Sequence, residues 1–141
     1  MMDMNQMTMD KNPIRISVRN ETGIAWSVME ARKVAMAIGF GETICQMIAT
    51  AVSELANNII KYAGRGEILM DRIIAGSRVG MEVIARDKGP GIEDIQKSME
   101  DHYSSGNTLG LGLPGVKRMM DEIELTSEPG KGTTVTIRKW L

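Results

Sequence analysis

Two polar residues, Glu54 and Asn58, lie four positions apart in a stretch whose apolar residues recur at helical spacing. On an α-helix, residues four apart share a face, which here borders the apolar stripe. A carboxylate in such a place can act as a general base, and an amide oxygen can bind Mg²⁺. The alternative is a pair of polar groups that face water, and this motif alone leaves both interpretations open.

A second motif, Asp-Lys-Gly-Pro-Gly-Ile at residues 87–92, comes directly after a predicted strand. Asp87, at the strand end, can accept a hydrogen bond from an exocyclic amine such as N6 of adenine. Gly89 and Gly91 would let the backbone approach a flat ring closely. Because Asp-x-Gly-Pro-Gly is also an ordinary turn, the motif is weak by itself.

A third motif, Gly-Asn-Thr-Leu-Gly-Leu-Gly-Leu-Pro-Gly at residues 106–115, leads into a predicted helix. Its glycines expose backbone N–H groups and a helix start favours an anion, so the segment can hold phosphates. It has neither the Gly-Lys-Ser/Thr of a Walker loop nor the spacing and strand context of the dinucleotide fingerprint. The alternative is a surface loop, which the regularly spaced leucines argue against because they need burial.

The length and composition indicate one globular domain. The 141 residues are 43% hydrophobic and 25% charged, and 17 basic and 18 acidic side chains give a net charge of -1. No basic stripe favours nucleic acid, and no apolar run is long enough to cross a membrane. The single cysteine, Cys45, excludes an internal disulfide and fits a reducing cytoplasm. We expect residues 1–12 to form a disordered tail and residues 13–141 to form the domain.

Hydrophobic periodicity predicts the elements that must position these motifs. They are helices over residues 22–38, 42–62 and 114–121, an edge strand over 14–18, and paired strands over 67–75 with 79–86 and 123–127 with 133–138. Because the strands pair through short turns and the helices come in blocks, we expect an α+β two-layer sandwich rather than a doubly wound parallel sheet. Met36, Met47 and Met81 are expected in the core. Trp26 and Trp140 are expected to be packing residues rather than ligand contacts, and contact with a partner stays open for exposed aromatic residues near a terminus.

The order of the three motifs resembles the nucleotide-binding boxes of the GHKL ATPases. Gly-Lys-Gly-Thr-Thr-Val at residues 130–135, which enters the last strand, adds to the resemblance, and together the motifs span residues 50–135. The resemblance implies a Bergerat-type sandwich with a mixed, mostly antiparallel sheet, helices on one face, and an ATP lid over residues 94–109. It also implies that the chain binds ATP and Mg²⁺.

The resemblance also implies roles for individual residues. Glu54 would be the catalytic base, Asn58 the Mg²⁺ ligand, and Asp87 the adenine-binding residue with support from Thr133. The full set of implied ATP-binding positions is Asn58, Lys61, Asp87, Gly89, Gly91, Ile92, Leu109, Gly110, Leu111, Gly112, Leu113 and Thr133.

Within the GHKL superfamily, the chain is similar to the small switch kinases of bacterial partner-switching systems. The similarity rests on residues 53–56, 62–64, 87–92, 99–101, 112–118, 120–122 and 139–141. It implies a cytoplasmic protein serine/threonine kinase that acts on STAS-domain proteins of the stressosome scaffold or antagonist type. A downstream phosphatase is implied as a further partner, whereas nucleic acid and membrane are not.

Two other functions stay open on the sequence alone. An anti-sigma factor kinase would use the same ATP site, and a non-catalytic module would use ATP only to order the lid for docking. Glu54 separates that module from an enzyme, because a binding module needs no base. A histidine kinase is disfavoured, because we find no upstream helical pair with a phospho-acceptor and the single histidine, His102, lies in the expected lid.

Overall fold

The computed structural model describes residues 8–9, 13–89 and 112–141 of the chain. The helices of these residues are α1 (Glu21–Ile38), α2 (Glu42–Ala63) and α3 (Gly112–Met119). The strands are β1 (Thr8–Met9), β2 (Ile14–Val18), β3 (Gly66–Ala75), β4 (Arg78–Asp87), β5 (Glu122–Glu128) and β6 (Gly132–Trp140). None of the helices in these ranges is both long and apolar enough to span a bilayer.

The two long helices begin and end where local chemistry favours it. The side chain of Asn20 accepts a hydrogen bond from the backbone N–H of Gly23 at 3.3 Å and so caps α1. Gly39 and Gly64 end α1 and α2 with φ angles of 117° and 82°, a left-handed conformation that favours glycine. The helix boundaries therefore follow from residues that the sequence places at these positions.

The sheet has the strand order β1-β3-β4-β6-β5, and β2 also pairs with β3. All of these pairings are antiparallel, in agreement with the predicted mostly antiparallel sheet. The turn at Gly76 and Ser77 joins β3 to β4, and Ala75 pairs with Arg78 across it. Because β6 lies between β4 and β5 and runs antiparallel to β4, the end of β4 is next to the start of β6.

Alternation along the strands divides the sheet into two faces. One face packs against α1 and α2 and forms the core. Its buried strand residues are Ile16, Val18, Ile68, Met70, Met81, Val83, Ala85, Val135 and Ile137. This arrangement confirms the predicted α+β two-layer sandwich with helices on one face.

The opposite face of the sheet carries a buried ion pair. Nε of Arg138 in β6 lies 2.7 Å from Oε2 of Glu82 in β4, and both side chains are about nine-tenths buried. Burial alone would lower the pKa of the Arg138 guanidinium, but hydrogen bonds to Glu124 and Glu82 and their negative charges raise that pKa above its usual value. The guanidinium therefore stays charged and links β4, β5 and β6.

The predicted elements are present, with shifts of one or two residues at their ends. Shifts of two residues occur at α3, which begins at Gly112 rather than at the predicted residue 114, and at β6, which ends at Trp140 rather than at residue 138. The disordered tail expected over residues 1–12 does not hold at Thr8 and Met9, because their backbone pairs with the edge of β3. The lid expected over residues 94–109 lies outside the described residues.

Two expectations about the core are wrong. Met81 is buried as expected, but Met36 is 56% exposed and Trp26 is 55% exposed. Both lie on the outer side of α1, which faces away from the sheet. The sequence does not reveal this, because apolar residues on both sides of a helix give no preferred direction of packing.

Candidate functional site

The ends of β4 and β6 bring two predicted ligand residues side by side. Arg86 pairs with Thr134 in antiparallel register, so Asp87 and Thr133 are the next residues along these neighbouring strands. Asp87 is two residues from the buried Ala85, and Thr133 is two residues from the buried Val135. Because side chains alternate between the two faces of a sheet, both lie on the face that the helices cover. A carboxylate and a hydroxyl thus lie together at one end of the core, where they can hydrogen-bond a planar ring that carries an amine.

Close contacts with glycines position Asp87. The backbone N–H of Gly89 donates to Oδ1 of Asp87 at 2.8 Å. A Cβ on Gly132 would lie 2.1 Å from the carbonyl oxygen of Asp87 and 2.8 Å from Cα of Lys88. A Cβ on Gly66 would lie 3.1 Å from Cβ of Asp87. Because larger residues do not fit at these glycines, the backbone around the carboxylate is tightly enclosed.

Two further contacts extend this end of the site. A Cβ on Gly89 would lie 2.5 Å from Cβ of Ala63, so the turn after β4 packs directly against the last residue of α2. The hydroxyl oxygens of Thr133 and Ser127 lie 2.9 Å apart, and the Ser127 hydroxyl also donates to the carbonyl oxygen of Gly132 at 3.2 Å. We refer to the region around Asp87 and Thr133 as the adenine end.

The second half of the candidate site lies where α2 meets α3. Oε2 of Glu54 accepts a hydrogen bond from the backbone N–H of Gly112 at 3.4 Å, although 58 residues separate them in the chain. Gly112 is the first residue of α3 and has a φ angle of 63°. A helix start presents N–H groups that lack helical partners and favours negative charge. We refer to this region as the phosphate end.

The other predicted residues of the phosphate end differ in exposure. Glu54 and Asn58 are half-buried on neighbouring turns of α2, which confirms their predicted place at the margin of the apolar stripe. Lys61, one turn further, is exposed, and its ammonium lies 5.3 Å from the ring centre of Tyr62. Leu113 is 5% exposed and belongs to the core, so its side chain serves packing and only its backbone can contact a ligand.

The structure thus links residues of the three motifs through α2, because Glu54 contacts Gly112 and the turn at Gly89 packs against Ala63. Five predicted ligand positions lie outside the described residues, namely Gly91, Ile92, Leu109, Gly110 and Leu111. Sequence reasoning also missed the contribution of Gly66, Gly132 and Ser127 to the position of Asp87 and Thr133. A signal existed for the two glycines, because each ends a Gly-x-Gly pattern and is the first residue of a strand, Gly66 of β3 and Gly132 of β6.

A known protein family matches most of the chain. Residues 23–139 match the family described as the histidine kinase-like ATPase domain, which covers both halves of the site. The chain belongs to this family. Its Asp87, Glu54 and Gly112 therefore lie in a fold that is shared with ATPase domains.

Individual members of the histidine kinase-like ATPase family are similar over most of the chain. The serine/threonine-protein kinase RsbT of Bacillus subtilis is 48% identical over 120 residues, which are 82% of this chain and 90% of that protein. An anti-sigma F factor of Thermoanaerobacter sp. is 38% identical over 100 residues, 67% of this chain and 68% of that protein. The anti-sigma F factor of Halalkalibacterium halodurans is 29% identical over 140 residues, 88% of this chain and 94% of that protein.

Proposed function

We propose that this chain is an ATP-dependent protein serine/threonine kinase that phosphorylates Ser or Thr of STAS-domain proteins in a bacterial partner switch. The chain belongs to an ATPase-domain family, and a serine/threonine-protein kinase is 48% identical to it. We further propose that it acts in the cytoplasm and that residues 13–141 form the catalytic domain.

The contact between Glu54 and Gly112 is the observation that carries the proposal. It places a carboxylate that can act as a base within hydrogen-bonding distance of the helix start that can bind phosphate. The adenine end, with Asp87 and Thr133, lies on the face of the sheet that the helices cover, and Glu54 lies on one of these helices, α2. One nucleotide that lay along α2 would therefore have its base at Asp87 and its phosphates beside Glu54.

The residues of the phosphate end fit a magnesium nucleotide. Mg²⁺ in such sites is held by one or two protein oxygens together with phosphate oxygens. Within residues 13–89 and 112–141, no group of three or more His, Cys, Asp or Glu residues could hold a metal ion. The amide oxygen of Asn58, beside Glu54 on α2, is the protein ligand that we propose, and bound Mg²⁺ would neutralise phosphate charge.

The proposed chemistry asks little of the protein beyond positioning and proton removal. The hydroxyl oxygen of the acceptor Ser or Thr forms a bond to the γ-phosphorus as the bond to the β–γ bridging oxygen breaks. Glu54 takes the hydroxyl proton, and ADP is the leaving group. For this role the Glu54 carboxylate must leave the amide of Gly112 or share it with a phosphate oxygen.

The test is phosphate transfer by Glu54→Gln. We expect the variant to lose transfer of labelled γ-phosphate to a STAS-domain protein by about 100-fold or more, the usual contribution of a general base. Its affinity for ATP, measured by calorimetry, should stay within about threefold, because the side chain keeps its shape. Unchanged transfer would remove Glu54 from the role of base, and failure of the native protein to bind ATP would overturn the proposal as a whole.

The second candidate function is that of an anti-sigma factor with the same kinase site. Its support is the similarity to anti-sigma F factors, one of which matches 88% of the chain. The two functions differ in partner and not in chemistry, so co-purification distinguishes them. A stable complex with a sigma factor in the presence of ATP would favour the second candidate, whereas binding and phosphorylation of STAS-domain proteins alone would favour the first.

A further inference from the structure

A largely buried lysine in the last strand is not used by the proposed chemistry. Lys139 pairs with Met81 in the register of β4 and β6, so it lies on the apolar, helix-covered face of the sheet. Val135 and Ile137 occupy the same face of β6 and are buried in the core. The Lys139 side chain is only 14% exposed. Because a buried ammonium is costly unless it has partners, its contacts explain why it is tolerated there.

The partners of Lys139 lie at the end of α3. Its Nζ donates to the carbonyl oxygen of Met119, the last residue of that helix, at 3.0 Å, and it lies 3.4 Å from Oδ1 of Asp121. The last carbonyls of a helix lack helical partners and carry partial negative charge, so a cation is favoured there. Lys139 thus acts as a C-terminal cap supplied by a distant strand.

Asp121, the second residue after α3, is joined to β6 by further contacts. The backbone N–H of Asp121 donates to the carbonyl oxygen of Arg138 at 3.0 Å. The backbone N–H of Trp140 donates to Oδ2 of Asp121 at 2.7 Å. The Asp121 carboxylate therefore contacts both the Lys139 ammonium and the backbone of Trp140, and the C-terminal end of α3 is fixed to the sheet.

The length of α3 connects this end to the phosphate end. Eight residues make about two turns and about 12 Å of helix. Leu113 and Val116 on its inner side, and Met120 directly after it, are buried in the core and resist sideways motion. Contacts at the last carbonyl, in contrast, resist sliding and unwinding along the helix axis. In so short a helix, a shift at Met119 would also move the N–H group of Gly112.

We propose that Lys139 is a positioning residue for the nucleotide phosphates, which it influences through α3 without touching them. The inference rests on the proposed function, since it takes the start of α3 as the phosphate-binding group. It predicts an effect that depends on phosphate. Loss of the Lys139 cap weakens the binding of nucleotides whose phosphates reach α3, and it leaves the binding of adenosine at the adenine end unchanged.

The experiment compares ADP with adenosine for Lys139→Met, which keeps the length and the apolar stem but removes the charge. Calorimetry with Mg²⁺ present should show ADP affinity lowered about tenfold, as expected for loss of a charge-assisted hydrogen bond at a helix terminus. Adenosine affinity should stay within about twofold of the native protein. Lys131→Met is the matched control. The Lys131 side chain is 78% exposed, and within the described residues its only ion pair is with Glu128 in the same turn. It should change neither affinity.

Several results would overturn the inference. Unchanged ADP affinity in Lys139→Met, or an equal loss of ADP and adenosine affinity, would reduce Lys139 to a residue that only stabilises the fold. Should Lys139→Met not fold, Lys139→Gln serves the same comparison, and Lys139→Arg should restore most of the ADP affinity. If the native protein bound neither ADP nor adenosine, the proposed function itself would fail, which is a different result from equal losses in the variant.

Discussion

The two ends of the candidate site differ in how closely their glycines are packed. At the adenine end, a Cβ on Gly132 would lie 2.1 Å from a backbone oxygen of Asp87. At the phosphate end, a Cβ on Gly112 would meet, among the described residues, only Cδ of Pro114, at 3.6 Å. Both glycines have a positive φ angle, so the difference lies in packing and not in backbone conformation.

This difference follows from how each end is built. The adenine end lies where strands β4 and β6 pair, so main chain packs directly on main chain and cannot give way. The phosphate end is a junction of α2 and α3 that is made by side chains, and the Glu54 contact at 3.4 Å is long for a hydrogen bond. A rigid adenine end and an adjustable phosphate end suit a protein that must hold a base while its phosphates react.

The largest effect is expected for Gly132→Ala. The new methyl group would collide with Asp87, and the alanine would have to adopt a φ angle of 109°. We therefore expect a loss of at least about 3 kcal/mol in the free energy of unfolding. Gly130→Ala is the control, because its φ angle is 81° but no described residue lies within 4 Å of a Cβ at that position. That variant should lose only about 1 kcal/mol in the same urea titration. Equal losses would mean that packing at the adenine end is no tighter than in a surface turn.

Asp87→Asn should act next most strongly, on ligand affinity and not on stability. The amide oxygen can still accept the hydrogen bond from Gly89, but the second carboxylate oxygen becomes an NH₂ group that cannot accept one from adenine. We expect adenosine and ATP to bind about 10- to 100-fold more weakly, and to a similar degree, by calorimetry. Retention of adenosine binding would contradict the assignment of Asp87 to the adenine end.

Gly112→Ala tests the tolerance of the phosphate end. No described residue comes closer to the methyl group than Cδ of Pro114, so within the described part of the chain the φ angle of 63° is what opposes it, at a cost of about 1 kcal/mol. If nearly all of this cost falls on the start of α3, ADP should bind about fivefold more weakly, with adenosine affinity unchanged. A stability loss as large as that of Gly132→Ala would remove the contrast between the two ends.

The smallest effect is expected for Lys61→Met. Lys61 is exposed, so its attraction for phosphate is screened by water and salt. We expect ADP affinity to fall less than about fivefold at low ionic strength, and the difference from the native protein to vanish at about 0.5 M salt. Lys33→Met on α1, where the side chain is 65% exposed, is the control and should leave affinity unchanged. A much larger loss that survives high salt would indicate a buried, direct contact between Lys61 and phosphate.

Much of the local structure could be predicted because its causes are local. The period of the apolar residues identified α1 and α2 to within a residue at each end, with Gly39 and Gly64 after the last turns. The same helical spacing placed Glu54 and Asn58 at the margin of the core. Met36 and Trp26 were assigned wrongly, since a periodic pattern does not say which of two apolar sides meets the sheet.

The contacts that join distant residues could not be predicted. The hydrogen bond between Glu54 and Gly112, the enclosure of Asp87 by Gly66 and Gly132, and the Lys139 cap on α3 each depend on how strands and helices pack. The burial of Arg138 against Glu82 depends likewise on the pairing of β4 with β6. A pattern of residue types contains no information about such distances unless the order of the strands is known.

By itself, the sequence determined the kinds of chemical group at the site, the elements that carry them, and the family that their order resembles. Only the tertiary structure decided which of these groups meet, how tightly the adenine end is packed, and what fixes the end of α3. The physical reason is that secondary structure depends on interactions between residues a few positions apart, whereas the site is assembled from segments that only the packing of the whole sheet brings together.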